Sequence, residues 1–485
     1  MTPSGSPWSP DRRLLTVGLI GLVTAGAFEG MAVPTVLPAL VDDLGGLDLY
    51  GWAFSAFWLT NIIGITLGGA DADRHGPRRA LLVGSLLFAA GMTVAGLAGS
   101  MPVVIGGRAI QGFGSGAIAS VVYAVIARAY APSAAPRMIA LTSSAWIVPG
   151  LIGPALAGAV SDAIGWRWVF LGIVPAVVAM GVAVSPQLRQ LGPVVRETEP
   201  LRGYGRRALD AVRLAIGSTL VLAALQVASG GDEARLGAIP SWAVAIALGA
   251  GGLWLVVGAL VHLLPAGSLR LARGRPAIFG AVFAITFAFF GTEAYIPLMI
   301  VGVRGETVTV GGIALSAAAV TWSVGAWVQA RAAGAGTRGT LVAIGSALIA
   351  AGIGLAALVL LPDLPILAAT AGWAVGGLGM GLAYSMLAFL TLETAPRGEE
   401  GASSASLQLM FTLGTAFGAG AGGAVVALAD RGALELVQAL GAVDAVMVAV
   451  AIGAMLAALR VPRRPAPRTD AQAASAPSVP AVEPG

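Results

Sequence analysis

Two acidic residues lie deep inside apolar stretches, where a carboxyl group can do proton chemistry. Glu29 comes 16 residues after Arg13, and Glu293 comes 18 residues after Arg275. In a helix, 16 residues from Arg13 place Glu29 roughly 24 Å along the axis, and Glu293 lies at a similar depth from Arg275. A carboxyl group kept from water favours its neutral form, so it can take up and release a proton near neutral pH. A cation that competes with this proton would couple two opposite fluxes, although both acids can equally be hydrogen-bonded packing residues.

Two more ionisable residues interrupt apolar stretches. Arg108 is open to two interpretations: it faces a cavity or a carboxylate such as Glu29, or it reaches the surface, about five residues and roughly 8 Å away. We favour the first, because the internal repeat described below aligns Arg108 with Trp373. An arginine is therefore not required by the scaffold of both halves. Asp444 lies near the start of the last apolar stretch, where we expect solvent to reach it.

The composition shows what kind of element must position these residues. Of the 485 residues 57% are apolar and only 11% are charged, against about 25% charged in soluble domains. The sequence therefore predicts an all-α polytopic membrane protein. The 28 basic residues need no nucleic-acid partner, because basic loops facing an anionic leaflet explain them. Cysteine is absent, and both histidines, His75 and His262, are expected in loops, so we predict neither a metal site nor catalytic residues.

Fourteen apolar runs are long enough for membrane helices. They are residues 14–40, 50–70, 79–99, 103–128, 137–160, 166–185, 209–229, 239–263, 276–301, 309–331, 339–361, 366–392, 403–429 and 436–459. The predicted organisation is a cytoplasmic N-terminus (1–13), a six-helix half (14–186), a cytoplasmic linker (187–208), an inserted helix hairpin (209–263), a second cytoplasmic linker (264–275), another six-helix half (276–460) and a disordered cytoplasmic tail (461–485). The alternative is a twelve-helix protein with the hairpin lying on the membrane surface.

Arginine placement predicts the orientation. With both termini inside, 22 arginines lie in cytoplasmic segments, and four lie outside: Arg167, Arg235, Arg304 and Arg431. This asymmetry follows the positive-inside rule. It indicates a multi-pass protein of the inner, or plasma, membrane.

An internal repeat relates the two predicted halves. Gly84 to Gly91 recurs as Gly345 to Gly352, an offset of 261, and Glu29 followed by Pro34 recurs as Glu293 followed by Pro297. The triplet Gly112, Gly114 and Gly116 recurs at an offset of 265. Six helices per half is an even number, so both halves enter from the same side. Two such halves rocking about a central cavity are typical of a transporter.

A charge-dense stretch, Gly68–Arg79, separates helices two and three and is predicted to be a tight cytoplasmic loop. It resembles the loop signature of the major facilitator superfamily. The matching residues, together with Asp71, which departs from the pattern, are Gly69, Asp71, Asp73, Arg74, Gly76, Arg78 and Arg79. The resemblance implies that Asp73 helps to lock the cytoplasmic gate when the cavity opens outward, and Asp71 is an alternative carboxylate for that task.

Two further motifs carry the same resemblance. Arg108, Gln111, Gly112 and Gly114 resemble the family's helix-four motif. In helix five, residues 149–158 resemble a motif associated with exporters in the family, with Gly150, Gly153, Pro154 and Gly158 matching. With the stretch from Asp162 through Trp166, Arg167 and Trp168, they resemble the fourteen-helix drug/proton antiporters.

The resemblance and the buried acids together predict a proton-coupled exporter of lipophilic or cationic drugs that works by alternating access. Such a protein needs no cofactor beyond the proton gradient, contacts protons, substrate and lipid, and is expected to be a monomer. Aromatic residues near the expected cavity can stack on flat cations; they include Phe28, Trp52, Trp58, Tyr123, Phe289, Phe290, Tyr295 and Trp322. One alternative is an exporter of lipids or lipophilic metabolites with the same fold. A remote one is a membrane-embedded enzyme.

Overall fold

Long apolar helices account for most of the chain. The computed structural model describes residues 6–131, 133–193, 201–230, 235–236, 239–334, 337–396 and 399–460. Within these ranges 14 helical segments are long and apolar enough to cross a membrane, which confirms the predicted number. The α-helices are α1 (Arg13–Leu44), α2 (Tyr50–His75), α3 (Pro77–Gly96), α4 (Met101–Ala129), α5 (Ala135–Ser144), α6 (Ile147–Ile164), α7 (Arg167–Leu171), α8 (Val174–Leu188), α9 (Leu201–Ala228), α10 (Ser241–Leu263), α11 (Arg275–Glu293), α12 (Val308–Ala332), α13 (Arg338–Ala357), α14 (Leu367–Glu393), α15 (Glu400–Asp430) and α16 (Leu436–Ala457).

Several spans are built from more than one helical segment. Helices α5 and α6 together form the fifth span, and α7 and α8 form the sixth. A π-helical turn, Leu298–Val303, continues the span that begins with α11. Two two-residue strands, Arg235–Leu236 and Ile239–Pro240, pair antiparallel between α9 and α10. The breaks inside these helical spans are tolerated in a membrane where neighbouring helices satisfy the freed backbone groups.

The repeat found in the sequence corresponds to repeated backbone contacts. Gly91 of α3 lies against the backbone of α4, and Gly352 of α13 lies in the same way against α14. Gly112 of α4 faces the carbonyl of Phe57, and its counterpart Gly377 of α14 faces the carbonyl of Ala318. A side chain at any of these glycines would collide with a neighbouring helix. The glycine pattern therefore reports the same close helix packing in each half.

The helices between the two repeats form a hairpin that packs into the bundle. Helices α9 and α10 pack against each other, and α9 also contacts α2 and α15, one helix from each half. Gln226 at the end of α9 donates to the Asp48 carbonyl at 2.7 Å, and Arg431 donates to Ser229 at 3.1 Å. Both α9 and α10 qualify as spans, so the fourteen-helix arrangement is favoured over the twelve-helix alternative.

The stretch predicted as a loop, Gly68–Arg79, is almost entirely helical, so that prediction is wrong. Helix α2 continues to His75, beyond the predicted end at residue 70, and α3 begins at Pro77. Gly76 alone makes the turn, with φ of 86°, a conformation that side chains other than glycine disfavour. We call the end of the bundle where α2 turns into α3 at Gly76 the arginine end, and the opposite end the far end.

Candidate functional site

Glu29 and Arg108 form a buried ion pair in the first half. Glu29 comes from α1 and Arg108 from α4, and each side chain is only 1% exposed. The guanidinium also donates from Nε to the Ala53 carbonyl at 3.0 Å and from Nη1 to Gln111 Oε1 at 2.7 Å. It stacks 4.5 Å from the ring centre of Phe57. The structure thus brings together two predicted residues and places Arg108 inside the protein, not at its surface.

The corresponding position in the second half has no arginine. Glu293, the last residue of α11, is half-buried. The indole of Trp373, the repeat counterpart of Arg108, lies beside its carboxyl group but completes no hydrogen bond of good geometry. No ion pair to Glu293 occurs among the described residues. The two halves therefore place one carboxylate against a cation and the other against an aromatic ring.

A continuous aromatic cluster lies between the two halves. Phe289 stacks on Trp373 with ring centres 4.4 Å apart and contacts Trp322 edge-on at 5.6 Å. Phe411 connects this side to the first half through Trp58, at 6.2 Å. The cluster consists of Phe57, Trp58, Phe289, Phe290, Trp322, Trp373, Tyr384 and Phe411. Aromatic faces of this kind attract lipophilic molecules and cations.

The other aromatic residues singled out in the sequence lie elsewhere. Tyr123 is 58% exposed. Tyr295 is buried at the far end and donates to the Ala419 carbonyl at 2.5 Å. Phe57, Trp373, Tyr384 and Phe411 belong to the cluster but were not predicted to, because nothing in the sequence of α2, α14 or α15 shows which helix face turns toward it.

The helix-four motif combines a polar contact with close packing. Gln111 accepts from Arg108 and so holds the guanidinium in place. Gly112 packs against the backbone of α2 at Phe57, and Gly114 packs against the backbone of α3 at Phe88. The two glycines let α4 approach both neighbours closely, which sets the depth at which Arg108 meets Glu29.

The predicted exporter motif lies where α6 of the first half meets α12 of the second. Gly158 faces the backbone of Thr309, and the carbonyl of Pro154 faces Gly312. Gly150 lies opposite Ala319, whereas Gly153 faces the ring of Phe28 on α1. The motif therefore provides small residues along a contact between the halves.

Hydrogen bonds connect the two halves at the far end of the bundle. Asp162, after the motif on α6, accepts from the backbone nitrogens of Val308 and Thr309 at 3.1 and 2.9 Å and from the Thr309 hydroxyl at 2.6 Å. A carboxylate at the first turn of α12 is favoured by the unsatisfied N–H groups there. On the other side, Tyr50 donates to the Ala294 carbonyl at 3.0 Å, and Ser55 donates to the Ala416 carbonyl at 2.8 Å.

The predicted gate residues surround the turn at the arginine end. Oδ1 of Asp71 lies 2.8 Å from Nδ1 of His75 and 3.6 Å from Nε of Arg79. Arg78 donates to Ser185 of α8 at 2.8 Å. Gly69 and Arg74 lie on α2, and Gly76 approaches the Leu191 carbonyl. These contacts tie α2, α3 and α8 of the first half together.

Helix geometry separates the two gate carboxylates. Asp73 follows Ser55 by 18 residues, which is five turns of 3.6 residues, so both lie on one face of α2. Ser55 bonds to α15, so that face points toward the second half. Asp71 instead lines a small cavity with Val83 of α3 and Ala117 of α4. By this register Asp73, unlike Asp71, lies on the same face of α2 as Ser55.

The second half has a different arrangement at its arginine end. Arg338 at the start of α13 makes a two-pronged ion pair with Glu393 at the end of α14, with one contact of 2.7 Å. Glu393 thereby links α13 and α14.

Asp444 lies in an environment that differs from our expectation. It was expected to be solvated near the start of the last helix, but its side chain is 2% exposed. Sequence position gives the depth of a residue along a helix but not the direction of its side chain. The expectation for Asp444 was wrong about that direction.

Comparison with known proteins agrees with this architecture. Residues 18–406 match the profile of the Major Facilitator Superfamily. A probable multidrug-efflux transporter of Mycobacterium tuberculosis is 27% identical, and the alignment covers 96% of this chain and 99% of that protein. The multidrug transporter protein MdtP of Bacillus subtilis is 25% identical, with 86% of this chain and 75% of that protein covered.

Solved structures share the fold at low sequence identity. A bacterial homologue of the human lysosomal transporter Spinster superposes with a TM-score of 0.62 at 14% identity, covering 95% of this chain and 99% of that one. The human organic anion transporter MFSD10 gives a TM-score of 0.56 at 18% identity, covering 93% of this chain and 100% of that one. The profile match spans most of the chain, and the two repeated halves have the packing that the resemblance implied. The chain belongs to the major facilitator superfamily.

Proposed function

We propose that this protein exports lipophilic cations across the plasma membrane in exchange for protons. The observation that carries the proposal is the half-buried Glu293, which has no described ion-pair partner and adjoins the aromatic cluster between the halves. The similarity to multidrug-efflux transporters supports export as the direction of transport.

The exchange follows from charge. A flat cation is attracted both by aromatic faces and by the Glu293 carboxylate. When Glu293 takes up a proton, the attraction between charges is lost and the cation is released. When the proton leaves, the carboxylate is again available to a new cation. One group thus binds either ligand but not both.

Glu29 has a different role in this scheme. Its charge is already compensated by Arg108, so a cation gains less from it than from Glu293. Protonation of Glu29 would free the guanidinium, which keeps its bonds to Gln111 and Ala53. Protonation of Glu29 would therefore change the packing of α1 against α2 and α4. We assign it to coupling rather than to direct substrate binding.

Alternating access requires the far end to open while the arginine end closes. In the structure Asp162 and the contacts of Tyr50 and Ser55 connect the two halves at the far end. We propose that the arginine end faces the cytoplasm, where substrate enters in this state. When the halves rock, Asp73 would dock against the second half and lock that entrance.

A dye efflux assay tests the proposal. Cells that express the protein, in a strain lacking its major efflux pumps, should lose ethidium faster than control cells, and an uncoupler should abolish the difference. Glu293→Gln should remove the gain, whereas Asp430→Asn, at an exposed acid of α15, should keep it. Efflux that persists with the uncoupler would contradict proton coupling. Transport of labelled lipids but not of dyes would favour the lipid exporter.

A further inference from the structure

Asp444 is a buried carboxyl group that the exchange described above does not use. It is the ninth residue of α16, about 12 Å along the helix from Leu436. Its side chain is 2% exposed. An ionisable residue at this depth in a membrane protein is rare and costly, and it calls for a functional explanation.

The surroundings of Asp444 offer one hydrogen bond and no described counter-charge. Thr292 of α11 donates to Oδ1 at 3.2 Å. Oδ2 is buried and has no hydrogen-bond partner in the part of the chain that the structure describes. A carboxylate needs several donors or a cation to be stable away from water. With one donor only, the arrangement suits a neutral carboxyl group with its proton on Oδ2.

Many titratable groups lie on the elements around Asp444. Helix α16 packs against α11, α13, α15, the turn Leu298–Val303 and the turn Ala458–Arg460 that follows it. The titratable residues on or near these elements are Arg275, Glu293, Tyr295, Arg304, Glu306, Arg338, Glu399, Glu400, Asp430, Arg431, Glu435 and Arg460. Arg275 donates to Ser403, and Arg338 pairs with Glu393. Arg304 donates to three backbone carbonyls. No ion pair joins any described residue to Asp444.

The scaffold itself does not require an acid at this place. The last helix of the first half, α8, contains no acidic residue, although it packs against α1 as α16 packs against α11. Thr292 precedes Glu293 directly in the chain. Thr292, which contacts Asp444, and Glu293 therefore lie on the same turn of α11. A movement of that turn shifts both residues.

We propose that Asp444 is a second proton-binding residue of the second half. It holds a proton while α11 and α16 are in contact, and it releases the proton when substrate-driven movement of α11 separates Thr292 from it. The O–H bond at Oδ2 breaks, the proton passes to water, and the carboxylate remains until the helices close and a proton returns. The proposal rests on the proton exchange proposed above, and it adds one proton to that exchange.

Proton counting in proteoliposomes tests this role. Ethidium movement and internal pH are recorded together, with the wild type, Asp444→Asn and the control Asp430→Asn. The neutral, isosteric Asn should leave proton-independent ethidium counterflow intact while fewer protons move per ethidium. An unchanged proton count would overturn the proposal. Loss of counterflow together with proton movement would also overturn it, because that result indicates a structural role.

Infrared spectroscopy tests the proton independently of transport. The wild type at neutral pH should show the band of a protonated carboxyl group that Asp444→Asn lacks. Thr292→Val keeps the carboxyl group but removes its hydrogen-bond donor, so it should shift the frequency of that band. If the wild type exchanges no protons for ethidium, the proposed function fails while the band still reports on Asp444. If Asp444→Asn leaves every carboxyl band unchanged, the proposed proton is absent.

Discussion

The buried pair of Glu29 and Arg108 gives a quantitative prediction for Glu29→Gln. This change leaves the guanidinium buried without a counter-ion, since Arg108 is 1% exposed and cannot lose its charge at ordinary pH. Breaking a buried ion pair on one side costs about 3–5 kcal/mol. The remaining contacts to Ala53, Gln111 and Phe57 make the lower end of this range the expected value.

The opposite single change should be milder. Arg108→Leu leaves Glu29 without its cation, but a carboxyl group can bind a proton and become neutral. The double variant Glu29→Gln/Arg108→Leu has neither buried charge. It should therefore be more stable than Glu29→Gln alone, even though it carries one more substitution.

A double-mutant cycle measures the difference. Unfolding of the purified wild type, both single variants and the double variant is followed in one detergent, and the interaction free energy is taken from the four values. We expect the stabilities not to add, with an interaction of about 2–3 kcal/mol. Proton-driven ethidium transport should be lost in Glu29→Gln and in the double variant. Additive stabilities would refute the reasoning, because they would show that the two charges do not stabilise each other.

Three other changes test separate parts of the structure. Asp73→Asn should slow transport and Asp71→Asn should leave it nearly normal, because only Asp73 lies on the face of α2 directed toward the second half; the reverse result in the efflux assay would exchange their roles. Gly112→Ala should destabilise the protein by about 1–3 kcal/mol in thermal unfolding, whereas Gly106→Ala, where a Cβ meets nothing within 4 Å, should be neutral; equal effects would contradict the close packing of α4 on α2. Asp162→Ala removes the three bonds that hold the start of α12, so a cysteine placed at the far end should react faster with an external thiol reagent, and an unchanged rate would show that Asp162 does not hold that end shut.

Much of the fold was predictable because it depends on local pattern. Apolar runs of membrane length gave all fourteen spans, since a bilayer leaves few alternatives to the helix. The glycine repeat anticipated the matching contacts of Gly91 and Gly352, because only glycine permits such close approach of two backbones. Polar residues misled the prediction at residues 68–79, where helix α2 continues to His75 and one glycine makes the turn.

The candidate site was predictable only in part. Glu29, Arg108 and Glu293 were recognised singly, because charge in an apolar run is conspicuous. That Arg108 reaches Glu29 depends on how α1 and α4 are rotated against each other, which no local pattern specifies. The same limit explains the misjudged exposure of Asp444 and the missed contribution of Phe411 to the aromatic cluster. Rotation of each helix about its axis is set by tertiary packing.

Exchange of a cation for protons is tested most directly in proteoliposomes that contain the purified protein and no other transporter. An imposed pH gradient, acidic inside, should drive ethidium accumulation, and dissipating the gradient should stop it. Glu293→Gln should bind ethidium weakly and should not respond to the gradient. Accumulation that is independent of the pH gradient, or a Glu293→Gln variant that accumulates ethidium as the wild type does, would contradict the account.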